Sequence, residues 1–486
     1  MGIQDRAASA GWPLAASLAA ASFLWLGLSG CAVGPDYRKP ETKLQDFHSA
    51  AAVEARAAGA PAPDLDAWWQ GFNDPMLSGL VQRAQAQNLD LAAALARVQQ
   101  ARGMASEAGA QLLPTADLNG QASRIHQSLE SPIGQAASHL PGYNRNQSDY
   151  TLGLGASWEL DLFGGLRRGS EAASAEADAA VAEQAGTRIS VTADTADAYL
   201  RIRGDQARIA VAEQQVATDA HLLDLVKQRF GHGLAAVREV AQAEALLSQA
   251  RASLQPLRID LEAQMNRLDV LLGQQPGTSA AELQTPQDIP AVPGIPAGDK
   301  PVEVLRRRPD VIAAERRLAA SNARVGQAVA EYYPHLSLSG LLGYEASHPG
   351  DLFKAATFQP GAAAGLRWRV FDFGKVGAEV AQAKGGKAEA LARYRQTVLH
   401  AAEDVENAFT ALVQLEAHRQ ELGNEVAALT RARDSSQEAY QGGVIALTDV
   451  LDADRQLLAA QDQLAQTQAD SGRAAVGAFR ALGGGW

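Results

Sequence analysis

The sequence predicts a mainly α-helical protein with a smaller β part, in which long coiled-coil helices follow short β-hairpins. Two stretches of roughly 65 residues, 166–230 and 375–440, lack proline and are rich in alanine, glutamate, glutamine and arginine, a composition that favours helix. Before each of them, apolar and polar residues alternate as they do in strands. Both patterns occur twice in the same order, so the chain is predicted to contain two copies of one structural repeat.

The first 30 residues have the features of an export signal. A largely apolar run that ends at Leu28 is too short for a membrane helix and leads into Ser29-Gly30-Cys31. This ending resembles a bacterial lipobox, in which the signal is cut before a cysteine that is then lipidated. We therefore predict a lipoprotein signal peptide at residues 1–30 and lipid attachment at Cys31. The alternative is that Cys31 is only a small apolar side chain within a signal helix.

Charge and histidine spacing exclude several classes of function. The chain carries 43 basic and 55 acidic side chains, and its formal charge of −12 argues against nucleic-acid binding. The nine histidines include no pair three or four residues apart of the kind that suggests a metal site. The sequence contains no evident phosphate-binding loop and no Ser-His-acid or Cys-His arrangement. It therefore predicts neither an enzyme nor a bound cofactor or metal.

The first repeat is predicted at residues 76–272, after an N-terminal strap at residues 31–75 that is read as extended. Proline at position 114 ends its first helix, and the glycines at 231 and 233 end its long helix. Within this repeat we expect a helix from Met76 to Leu113, a hairpin at 115–162, the long helix at 166–230 and a helix at 237–272. A linker with five prolines follows at residues 273–300.

The second repeat is predicted at residues 301–482 and has the same order of elements. Trp158 and Trp368 are 210 residues apart, as are Gly233 and Gly443. In the second long helix valine and leucine recur at heptad spacing, whereas Asp205 and Asp219 interrupt the corresponding row of the first. We expect a helix from Val302 to Tyr333, a hairpin at 335–371, the long helix at 375–440 and a helix at 447–482.

The two hairpins have one apolar and one polar face. Each strand is about as long as a tilted membrane strand of roughly 9–11 residues. A soluble hairpin lying on a core is the alternative. The predicted membrane-facing residues are Leu152, Leu154, Trp158, Leu336, Leu338 and Leu366, and the predicted lumen-facing residues are Glu159, Asp161, Arg367 and Arg369.

Four strands in one chain cannot close a membrane barrel, because an open sheet edge in lipid leaves backbone groups unpaired. The hairpins therefore imply that several copies of the chain associate. Two, three or four copies would each close a cyclic assembly. Three copies would give twelve strands.

Several short motifs resemble one known family. They are Cys-Ala-Val-Gly-Pro-Asp-Tyr at 31–37, Trp-Trp-x-x-Phe-x-Asp-Pro at 68–75, Arg-Arg-Pro-Asp-Val at 307–311, Phe-Asp-Phe-Gly-Lys at 371–375 and Val-Leu-Asp-Ala at 450–453. Together they resemble the NodT/OprM-type lipoproteins, which carry palmitate, of the TolC family of outer-membrane efflux factors.

This resemblance implies an assembly and its partners. The chain would form a homotrimer in the outer membrane, with a twelve-stranded transmembrane β-barrel continuous with a long α-helical coiled-coil barrel in the periplasm. Its partners would be outer-membrane lipid, a periplasmic adaptor of the membrane fusion type and an inner-membrane pump, commonly of the resistance-nodulation-division class. The channel itself would do no chemistry.

The turn after the second long helix is a candidate gate. Asp449 and Asp452 are three residues apart on one side of the following helix, although acids in a first helical turn can equally serve as caps. The resemblance implies that Tyr440 is a latch tyrosine, that Asp449 and Asp452 form the constriction, and that Glu239 is an acidic latch partner. Position 445, where the family carries a latch arginine, is Ile445 in this chain.

Two other functions remain open on the residues alone. An exit duct for protein secretion would have the same elements, and no feature of the sequence separates it from an efflux duct for drugs, toxic compounds or metal ions. A coiled-coil structural lipoprotein without a pore is the second alternative. Such a protein would not need two hairpins with apolar faces, so the hairpins favour a channel.

Overall fold

The structure is a computed structural model that describes residues 32–41, 44–56, 62–296 and 300–486. The predicted signal peptide and Cys31 lie outside the described residues. The strands are β1 (Thr115–His126), β2 (Asn146–Leu160), β3 (His335–Ala346) and β4 (Phe358–Arg367). The helices are α1 (Ala50–Arg56), α2 (Pro75–Gln87), α3 (Leu89–Ala110), α4 (Pro132–Ser138), α5 (Gly165–Gly231), α6 (Val237–Leu271), α7 (Ala280–Leu283), α8 (Pro301–Arg307), α9 (Pro309–Ala330), α10 (Lys375–Gln441) and α11 (Leu447–Ala481).

The two long helices are confirmed, and each contains 67 residues. Both end in the same kind of turn, because Gly233 and Gly443 adopt left-handed φ angles of 73° and 74° that cost glycine little. In both turns the amide after the glycine donates to a carbonyl five residues earlier. Within the parts of the chain that the structure describes, no helix combines the length and the apolar character needed to cross a membrane.

The first helix of each repeat is broken where the sequence predicts one continuous helix. The breaks fall at Asn88 and Arg308, which are 220 residues apart and have extended ψ angles of 131° and 123°. The side chain of Asn88 accepts hydrogen bonds from the amides of Asp90 and Leu91 and so caps α3. Arg308 precedes Pro309, whose ring disfavours a helical conformation in the residue before it.

The strap is less extended than predicted. It contains α1 and a 3₁₀ helix, Leu65–Phe72, in addition to extended segments. Trp68 in this 3₁₀ helix is 0 % exposed and stacks on Phe479 of α11, with 5.2 Å between the ring centres. Burial of these aromatic rings, which no local periodicity signals, gives this part of the strap its shape.

The strands form one antiparallel sheet in the order β1-β2-β3-β4. Leu118, Leu154 and Leu342 lie opposite one another on adjacent strands, and so do Ser157 and Ser339 on the other face. One face is therefore apolar and the other polar, as the alternation predicts. The outer edges of β1 and β4 have no strand partner among the described residues.

The chain divides into two compact units, and each repeat contributes to both. The sheet unit holds the strands, and its helices pack through alanines of α5 and α9: Ala172, Ala175, Ala319, Ala320 and Ala323. The helical unit has an aromatic and aliphatic core that includes Trp68, Tyr199, Phe409 and Phe479. The sheet unit comprises the chain up to Lys39, Gln100–Asp178 and Arg316–Ala392, and the helical unit comprises Pro40–Gln99, Ala179–Glu315 and Arg393–Trp486.

Candidate functional site

Tyr440 lies in the last turn of α10 and is 2 % exposed. It packs in a small apolar cluster that joins the turn ends of the helical unit and contains Leu222, Val226, Ala243, Leu447 and Val450. Its hydroxyl has no hydrogen-bond partner among the described residues. Burial raises the pKa of the Tyr440 hydroxyl, the Arg229 charge lowers it, and the Glu239 charge adds to the increase.

Arg229, in the last turn of α5, holds Tyr440 in place. Its guanidinium lies 4.5 Å from the centre of the Tyr440 ring, and one of its nitrogens donates to the Tyr440 carbonyl at 3.2 Å. Sequence reasoning did not find Arg229. The only local signal is a basic residue near a helix C-terminus, where it complements the helix dipole.

The two candidate constriction residues have local partners in the structure. The Asp449 carboxylate accepts from the Ala446 amide at 3.2 Å, which is the capping contact that competes with a gating role. The Asp452 carboxylate pairs with Arg455 and accepts from the Gln456 side chain at 2.7 Å. Both aspartates therefore lie in the first turns of α11, on one stretch of its surface.

Two further carboxylates are buried in the same unit. Asp219 is 1 % exposed, one of its oxygens accepts from Gln215 at 2.8 Å, and the other has no partner among the described residues. Burial raises the pKa of Asp219 to about 6, the Gln215 hydrogen bond lowers it, and the Asp454 charge raises it further. Burial likewise raises the pKa of Asp454, against the opposing charge of Arg433, which lies 3.8 Å away. The sequence marked Asp219 only as an interruption of the heptad row.

The first pair of predicted lumen residues lies around the end of β2. Glu159 is on the polar face and accepts from His335 at 2.7 Å. Asp161 follows the strand and accepts from the amides of Leu166 and Arg167 at 3.1 and 2.8 Å. Asp161 therefore caps the start of α5, a contact that satisfies amides with no partner inside the helix.

The second pair lies around the end of β4. Arg367 is the last residue of that strand and is exposed. Arg369 follows it and forms ion pairs with Glu331 at 2.8 Å and Glu379 at 3.0 Å. These contacts tie the segment after β4 to α10 and to the residue after α9.

The segment that follows Cys31 is fastened at the start of α5. The Val33 amide donates to the Phe163 carbonyl at 3.0 Å, and Arg168 pairs with Asp36 at 2.6 Å. Gly34 has a φ of 92°, and a methyl group there would overlap the backbone of Gly326. The chain thus holds an extended segment against the sheet unit directly after the predicted lipid-attachment residue.

Among the residues that the structure describes, no group of three or more His, Cys, Asp or Glu side chains could hold a metal ion. The features of the candidate site are instead packing, ion pairs and buried charge. These features can hold or release the ends of helices, and they can attract or repel ions.

Comparisons with known proteins identify the family. A match to the family described as outer membrane efflux protein covers residues 80–274 and 301–484, which are the two repeats without the linker. The pyoverdine export outer membrane protein OpmQ of Pseudomonas aeruginosa is 33 % identical over 88 % of this chain and 90 % of that protein. The toluene efflux pump outer membrane protein TtgI of Pseudomonas putida is 30 % identical over 96 % of this chain and 97 % of that protein.

A solved structure agrees with these relatives. The outer-membrane channel OprN is 34 % identical and superimposes with a TM-score of 0.85 over 94 % of this chain and 100 % of that chain. The match extends through both repeats, which confirms the resemblance drawn from the motifs. The chain therefore belongs to the outer membrane efflux protein family.

Proposed function

We propose that this protein is the exit duct of a tripartite efflux system, in which three copies form one channel. As a member of its family, the chain is an outer-membrane efflux channel that extends into the periplasm and is not an enzyme. A periplasmic adaptor and an inner-membrane pump, of the resistance-nodulation-division type, would deliver the exported molecules. The observation that carries the trimer is the four-stranded sheet with two free edges.

The free edges argue for pairing between copies. β1 and β4 run in opposite directions and have 12 and 10 residues, so β4 of one copy can pair antiparallel with β1 of the next. Unpaired backbone groups along these edges would cost several kcal/mol each in lipid. Three copies give a closed barrel of twelve strands. The apolar face with Leu118, Leu154 and Leu342 would then contact lipid, and the polar face would line the lumen.

The proposed gate lies at the turn ends of the long helices. Tyr440 and Arg229 tie α10 to α5, and Asp449 and Asp452 would form two rings of three carboxylates around the threefold axis. Crowded like charges attract cations and hinder anions. Glu239 contributes negative charge near Tyr440 without a hydrogen bond to its hydroxyl in the structure.

We propose small molecules as the cargo. The two relatives above are named for the export of pyoverdine and of toluene, and both are small molecules. In each of them the sequence similarity covers at least nine-tenths of the relative. Lipid attachment at Cys31 would add an anchor to the outer membrane, and mass spectrometry of the mature N-terminus tests it.

The test combines native mass spectrometry with planar-bilayer recording of the purified protein. We expect a mass of three chains and ion conductance. A bismaleimide cross-linker should join three chains through Asn119→Cys in β1 and Gln359→Cys in β4. The matched control, Asn119→Cys with Gly153→Cys on the paired strand, should cross-link only within a chain. Two or four chains would refute the trimer, and a folded but silent oligomer would refute the channel.

A further inference from the structure

The turns that end the two long helices have the same backbone and differ at two side chains. In the first turn the Gly233 and Leu234 amides donate to the carbonyls of Phe230 and Arg229, and the second turn repeats this pattern 210 residues later. Tyr440 stands where the first repeat has Phe230. Ala439 stands where the first repeat has Arg229.

The two side chains that differ between the repeats are the two that contact each other. The Arg229 guanidinium stacks on the Tyr440 ring and donates to the Tyr440 carbonyl. That carbonyl also accepts from the Gly443 amide at 3.0 Å, so Arg229 binds a helix C-terminus that its own turn has already ordered. Within the described chain, the contact joins helix ends that are 211 residues apart.

We propose that Arg229 is the positioning residue that keeps the end of α10 against α5 and so holds the gate closed. This inference rests on the proposed function and names the residue that acts in place of an arginine at position 445. Ile445 carries no charge and packs at the edge of the cluster around Tyr440. The cation therefore comes from the first repeat and contacts the second within one chain.

The contact uses the ring and the backbone of Tyr440 rather than its hydroxyl. The ring is almost fully buried, and a cation over a desolvated aromatic face is held more strongly than one at an exposed site. The guanidinium also lies where the helix C-terminus carries partial negative charge. Since the hydroxyl has no hydrogen-bond partner among the described residues, its removal should leave the contact intact.

Single-channel recording of the full-length protein in planar bilayers tests the inference. Arg229→Ala and Tyr440→Leu should each raise the ratio of time spent open to time spent closed by about tenfold. The double variant should open no further than either single variant, because both changes remove one contact. Arg229→Lys should close the channel in part, since lysine keeps the charge but lacks the planar fork.

Two variants serve as controls. Tyr440→Phe should behave as the wild type. Arg238→Ala removes an exposed cation from the first turn of α6 and should also leave gating unchanged. Opening of Tyr440→Phe to the extent of Tyr440→Leu would overturn the inference, because the hydroxyl would then be the latch. Closure of Arg229→Ala like the wild type would overturn it as well.

Hydrogen exchange separates this inference from the proposed function. In the same purified variants, loss of the contact should speed amide exchange at residues 439–446 for Arg229→Ala and not for Arg238→Ala. A silent wild-type protein would refute the channel. Exchange at the turn would still test the contact, and equal exchange in Arg229→Ala and wild type would refute the role of Arg229.

Discussion

Asp219 should make the helical unit less stable as the pH rises through about 6. Its carboxylate occupies a heptad position of α5, is almost fully buried, and has one oxygen without a partner among the described residues. The groups that act on it are the Gln215 amide and the Asp454 carboxylate, with Arg433 and Asp434 next to Asp454. No cation is paired directly with Asp219 in the described structure.

The sign and the size follow from the pKa. Burial raises the pKa of Asp219 from 3.8 to about 6, so the folded state binds the proton more tightly than the unfolded state does. The resulting stabilisation is complete below about pH 4 and is lost as the pH rises through about 6. The change corresponds to about 3 kcal/mol, or about a hundredfold in the equilibrium for local opening.

Asp219→Asn removes the titration while keeping the oxygen that accepts from Gln215. The assay is hydrogen exchange of α5 peptides around residues 215–226 between pH 4.5 and 7.5, corrected for the intrinsic pH dependence of exchange. The wild type should lose protection across this range, and the variant should lose up to about a hundredfold less. Asp224→Asn, which changes an exposed carboxylate on the same helix, is the control. Equal pH dependence in Asp219→Asn and wild type would refute the reasoning.

Three further predictions concern the core, the N-terminal segment and the sheet. Trp68→Ala should cost about 3–5 kcal/mol, measured by denaturant unfolding, because it leaves a cavity beside the stacked Phe479 ring; a loss below 1 kcal/mol would contradict this burial. Gly34→Ala should release the segment after Cys31 and speed its proteolysis, whereas an unchanged cleavage rate would contradict the close approach to the backbone of α9. Leu154→Arg should lower membrane insertion by about 2–4 kcal/mol and Arg367→Leu should not; equal damage would mean that the sheet faces are reversed.

The sequence by itself determined the repeat, the long helices and the strands. These features depend on residues that are close in the chain: proline-free helical composition, alternation with a period of two, and glycines at 233 and 443 that can adopt positive φ. The strand faces and the helix ends were predicted to within a few residues for the same reason. Repetition at a fixed offset strengthened each prediction, because every element was read twice.

Only the tertiary structure decided which residues of the two repeats meet. The contact between Arg229 and Tyr440 joins residues 211 positions apart, and no local pattern distinguishes that arginine from an ordinary helix-end cation. The burial of Asp219 was equally hidden, since a carboxylate in a heptad row can face either solvent or a neighbouring helix. The fold of the strap around Trp68 depends on rings contributed by distant helices. Packing and desolvation set these features, and both arise from neighbours in space rather than from neighbours along the chain.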